Sequence, residues 1–218
     1  MAGGARGLGI DEAVALTRTG DLWLFRGRRS PDRAIQTFTN SPVNHVGMAV
    51  VIDDLPPLMW HAELGKNLVD HWTGKHHRGV QLHDLRDAVV RWQDHYDQSA
   101  WLRQLHPEVG RAEEDAVLRC IARLDGVPFP SAGRLALRWL RGRDAYVPHR
   151  QRHVERPRPE AAFCAEVVAL TYQEMGLLGL DRRATWYDPG TFWSGGFLPL
   201  QAGWTLGDEV PVRNQADG

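Results

Sequence analysis

A cysteine attacks as its thiolate, so a catalytic cysteine needs a base within reach and a further group to orient that base. The chain offers one set of residues suited to this. Cys164 lies in AAFCAEVVALTYQEMGL, His45 near the start of NHVGMAVVI, and His61 and Glu63 in LMWHAEL. Pro157 and Pro159 keep the chain before Cys164 out of a helix, so a helix can begin only around Glu160 to Phe163. Cys164 then falls in or near the first turn. Unpaired N–H groups and the helix dipole there favour a thiolate, and the same groups can hold an oxyanion. The plainer alternative is that Cys164 is the first core residue of a stripe with Val167, Val168, Thr171 and Met175. The other cysteine, Cys120, sits mid-helix among Ala116, Val117, Ile121 and Leu124 and reads as core.

His45 is a polar residue opening an apolar, β-branched strand, where a side chain can reach a cleft. A period of two puts His61 and Glu63 on one face of the next strand. If the two strands are neighbours, Glu63 can face His45 and fix its tautomer, with His61 close enough to compete for that role. The bland reading of His45 and Glu63 is as edge residues that meet only solvent.

The elements that would carry these residues follow from pattern. Asp11 can cap a helix from Glu12 to Thr17, and GDLWLF reads as a turn and a strand. Asn44 to Ile52 and Leu58 to Leu64 read as strands, and Asp32 to Phe38 as a short helix. Between Gly65 and Gly79 the chain is polar loop. VQLHDLRDAVV suggests a strand end and a helical turn, and Ser99 to Leu105 a strand. Glu108 to Leu124 is a helix ending at Gly126, and SAGRLALRWLRG a shorter one. Strands followed by helices indicate an α+β fold.

The order GDLWLF, NHVGMAVV, a carboxylate on the next strand and a distant FCAEVVALTYQEMGLL resembles the circularly permuted NlpC-type papain-like cysteine amidases and peptidases, the YiiX/YaeF-like group. Lecithin retinol acyltransferase-like proteins share that order. The likeness covers Gly20 to Leu64 and Phe163 to Leu177, and Ala165 stands where a serine is common. It implies a curved antiparallel sheet packed against the helix that carries the cysteine. It implies Cys164 as nucleophile, His45 as general base and acid, Glu63 as orienter and Asp21 as a structural turn residue. It implies amide or ester cleavage through an acyl-thioester, with no metal or organic cofactor.

The chain has 218 residues with a net charge of −1, 43% hydrophobic and 24% charged, enough for one well-filled core. The expectation is one permuted papain-like domain over residues 1–218 with a basic helical or loop insertion around 131–158. The near-neutral charge argues against a nucleic-acid partner. No transmembrane segment or export signal is legible, and 2 cysteines imply no disulfide framework, so a cytoplasmic location is expected. His71, His76 and His77 fit no zinc spacing and read as solvated. Eight arginines between Arg134 and Arg158 face only Asp144 and Glu155, and apolar residues interleave with them. That segment is a candidate site for an anionic or amphiphilic ligand, against the alternative of a solvated helix. YDPGTFWSGGF either walls a cleft or plugs the sheet. The functional expectation is cleavage of an amide in a peptide or peptidoglycan-derived fragment. The alternatives are an acyltransferase or lipid esterase, and a non-catalytic binding domain.

Overall fold

A computed structural model describes residues 7–27, 42–52, 54–65, 67–128 and 163–214. The expected helices at Asp32–Phe38 and in SAGRLALRWLRG, and the arginine-rich segment, lie outside the described residues. The described chain is mixed α+β. Its elements are β1 (Leu8–Gly9), α1 (Ile10–Leu16), β2 (Leu22–Gly27), β3 (His45–Val50), β4 (Leu58–Glu63), β5 (Gly79–Asp84), α2 (Leu85–Asp94), β6 (Gln98–Arg103), β7 (Leu105–His106), α3 (Arg111–Leu124), α4 (Cys164–Glu174), β8 (Thr205–Leu206) and β9 (Val210–Arg213). Seven strands pair in the order β1-β9-β6-β2-β3-β4-β5, antiparallel except for β1 with β9.

Alternation along the central strands builds two layers. Leu22, Leu24, Val46, Met48, Val50, Leu58, Trp60, Ala62, Val80 and Leu82 join the core cluster that contains α3 and α4. Trp23, Phe25, Ala49 and Met59 join a second cluster with α1 and α2, through Ile10, Ala13, Leu85, Ala88, Val89 and Trp92. The helix bearing Cys164 therefore lies on one face of the sheet and α2 on the other. Trp60 ties its face together: its Nε1–H donates to Thr171 Oγ1 of α4 at 3.0 Å.

Asp21 takes the structural place expected of it. Its carboxylate accepts the N–H groups of Leu105 and Arg18, each at 2.8 Å, and its carbonyl accepts that of Ala49. Gly20, at φ +92°, makes the turn that lets this happen.

Three boundaries differ from expectation. The first helix starts at Ile10 after Gly9, so Asp11 lies in its first turn instead of capping it. The long helix starts at Arg111, after Gly110, because Glu113 reaches back to the Gly110 N–H. The helical turn expected in VQLHDLRDAVV runs on to Asp94 as α2, whose N-cap is Asp84, accepting from Asp87 N–H. The segment YDPGTFWSGGF acts mainly as a plug. Tyr187 and Phe192 are fully buried in the α4-side cluster, while Phe197 is exposed.

Candidate functional site

Helix α4 begins at Cys164 itself, with Phe163 in extended conformation as its N-cap. That gives the thiol the position that the two upstream prolines foreshadowed. Burial pushes the Cys164 thiol up to about 11, an effect that the polar backbone of Val46, Ala165 and Cys164 opposes by favouring the thiolate. Nearby Asp188 adds to the upward push. Val46 follows His45 in β3, so the sulfur lies at the first peptide of the strand that the candidate base opens. Among the described residues, no hydrogen bond joins the thiol to the His45 ring.

The His45 side chain leaves the strand on the α2 face. It stacks on Trp92 with ring centroids 3.9 Å apart and lies 5.7 Å from Phe25. Its Nε2 lies 2.9 Å from His61 Nδ1. His61 Nε2 lies 3.0 Å from His83 Nδ1, and His83 Nε2 lies 3.0 Å from Gln81 Oε1. All four residues are buried.

The protons of this row can be assigned from its far end. Gln81 Nε2 donates to the carbonyls of Gly65 and Gly79, so Gln81 Oε1 must accept from His83 Nε2–H. His83 Nδ1 is then an acceptor for His61 Nε2–H, and His61 Nδ1 an acceptor for His45 Nε2–H. Burial holds the rings neutral. It brings His45 down to about 3 and His83 to about 4, and takes His61 well below its ordinary value, with help from its two histidine neighbours. In this arrangement the lone pair of His45 Nδ1 is available as a base.

Glu63 stands one step further out than expected. Its Oε2 is 3.9 Å from His61 Nε2 and 3.8 Å from His83 Nδ1, and its Oε1 accepts from Tyr96 O–H at 3.0 Å. Burial raises the Glu63 carboxyl, opposed by the Tyr96 hydrogen bond and by Arg91. The place beside His45 that the sequence offered to Glu63 is held by His61. Two glycines make the packing possible. A Cβ on Gly47 would lie 2.9 Å from Met59 Cγ and 3.4 Å from His61 Cβ, and one on Gly65 would collide with Glu63 Oε1.

Sequence reasoning missed His83, Gln81, Tyr96 and Trp92. A signal was present: in VQLHD, Gln81 and His83 alternate with Val80 and Leu82, so one side of an otherwise apolar strand is polar. The described loop histidines stay apart from this row. His77 Nε2 lies 3.4 Å from Asp70 Oδ2, and His71 and His76 are exposed. Cys120 is buried in the core as read, its thiol 3.4 Å from Thr171 Oγ1.

No family model matches the sequence, and no curated protein matches it. Among solved structures, the metalloprotein yiiX from Escherichia coli O157:H7 superposes with a TM-score of 0.48 and 19% sequence identity. The match covers 73% of this chain and 66% of that one, so this chain spans just under two thirds of its length. The likeness is too slight to carry chemistry across. Among the described helices none is long and apolar enough to cross a membrane.

Proposed function

We propose that the chain is a single permuted papain-like domain of NlpC type that cleaves an amide bond, in a peptide or peptidoglycan-derived fragment, through an acyl-thioester on Cys164. The observation that carries this reading is the setting of the sulfur. It sits in the first turn of α4, where the polar backbone of Ala165, Cys164 and Val46, the residue after His45, favours its thiolate against burial.

Both partners are neutral at rest, because burial disfavours thiolate and imidazolium alike. In this reading the thiol gives its proton to His45 Nδ1, reached past the start of β3 from the α2 face, as sulfur attacks the carbonyl carbon in general-base fashion. Backbone N–H groups at the start of α4 receive the negative charge of the tetrahedral oxygen. The imidazolium then donates its proton to the leaving amine, and water, activated by the same ring, releases the acid. His61 accepts from His45 throughout and fixes the tautomer that leaves Nδ1 without a proton. Glu63 contributes a negative charge beyond His61.

An activated acyl ester tests this. Incubation should release one equivalent of alcohol in a burst and leave an acyl group on Cys164, located by peptide mapping. Cys164→Ala should abolish the adduct, and His45→Ala should slow its formation by about 100- to 10,000-fold. A folded protein that never acylates, or that acylates equally without His45, would overturn the reading.

A further inference from the structure

The α2 face holds a group that the thiol chemistry does not use. His61 Nε2, His83 Nδ1 and Glu63 Oε2 converge on one point, with separations of 3.0, 3.8 and 3.9 Å. Ligand atoms about 2.1 Å from a tetrahedral zinc ion lie roughly 3.4 Å apart, so these separations bracket what such an ion requires. The outer partners also match. A ligating imidazole ordinarily donates its other N–H to a fixed acceptor. His83 does so to Gln81 Oε1, and His61 has His45 Nε2 at 2.9 Å. Tyr96 holds the second oxygen of Glu63. Two imidazoles and a carboxylate are a donor set for zinc or a similar divalent transition ion, with a fourth position left for an exchangeable ligand.

We infer that His61, Glu63 and His83 form a divalent transition-metal site, and that its occupancy switches the base of the thiol centre off. The second clause rests on the reading of Cys164 given above. An ion on His61 Nε2 leaves that ring its proton on Nδ1, facing His45. His45 must then accept at Nε2 and carry its own proton on Nδ1, the nitrogen that would take the thiol proton. No proton enters or leaves the two rings; each exchanges one tautomer for the other. The metal-free row favours attack by the thiol, and the occupied row opposes it.

The test uses the full chain after chelation, with Co²⁺ and Zn²⁺ themselves as probes. One equivalent of Co²⁺ should give the intense visible bands of a four-coordinate ion, displaced by Zn²⁺ and retained in Cys164→Ala. His83→Ala should abolish them. Tyr96→Phe, a change at a partly exposed ring, should weaken binding by about 10- to 100-fold. In the wild type, one equivalent of Zn²⁺ should slow acylation of Cys164 at least tenfold, and chelation should restore it. Absence of stoichiometric binding to the folded wild type overturns the site. So does binding that is lost in Cys164→Ala or in His77→Ala but survives His83→Ala. Binding without slower acylation overturns the switch. Acylation of the chelated protein reports on the thiol reading alone, and Co²⁺ spectra of Cys164→Ala on the metal site alone, so the two failures are distinguishable.

Discussion

The two faces of β3, β4 and β5 are built from alternate residues of the same strands and could hardly differ more. Toward α4 they present Val46, Met48, Val50, Leu58, Trp60, Ala62, Val80 and Leu82, a continuous apolar layer. Toward α2, beside Ala49 and Met59, they present His45, His61, Glu63, Gln81 and His83, all buried and linked to one another. The apolar face gains stability from every side chain it removes from water. The polar face must satisfy each nitrogen and oxygen, and an unmet one costs about 1–3 kcal/mol. Such a layer adds little stability of its own, while the apolar layer supplies the rigidity that holds it in register.

Substitutions on the two faces should separate these roles. The largest effect belongs to the apolar layer. Trp60→Ala removes a fully buried ring and the hydrogen bond to Thr171, and should cost about 3–5 kcal/mol in urea unfolding. A loss below about 1 kcal/mol would mean that this face is not the structural one.

The next effect is pH-dependent and comes from the α4 side of the sheet. The Cys164 thiol is raised from 9.0 to about 11, so the folded protein keeps a proton that the unfolded chain releases. Its contribution to stability is full below pH 9 and is lost as pH rises from 9 toward 11, on the order of 3 kcal/mol in all. Cys164→Ser should flatten that part of the unfolding profile between pH 8 and 10.5, leaving the smaller slope from Cys120, also raised by burial. An unchanged slope would show that the sulfur is not held as a neutral thiol.

The smallest effect lies at the rim of the polar face. Tyr96→Phe deletes one hydrogen bond to Glu63 and should cost about 0.5–1.5 kcal/mol, read from the urea midpoint. A loss as large as that of Trp60→Ala would erase the contrast between the faces.

Much of the frame was legible along the chain. The β-branched and apolar runs at Asn44–Ile52 and Leu58–Leu64 contain strands, and the prolines ahead of Cys164 precede a helix that starts at that residue. His61 and Glu63 share a face because side chains on a strand alternate, a rule that needs no tertiary information. The end of α2 was not legible. WQDHY mixes one buried Trp with polar residues, and its first three residues close the helix where Trp92 stacks on His45.

The sequence by itself therefore determined which residue types stand at the strand starts, which side chains alternate together and where the cysteine helix can begin. These are local consequences of backbone geometry. The tertiary structure alone decided who meets whom. Pairing β4 with β5 set His61 opposite Gln81, and with the adjacent register pair Met59–His83 it brought His83 to His61. Packing α2 over that row then buried it and supplied Trp92 and, from the turn after the helix, Tyr96. Strand register and helix docking are long-range events that depend on the whole core, so His83 could not be joined to His45 before the sheet was assembled.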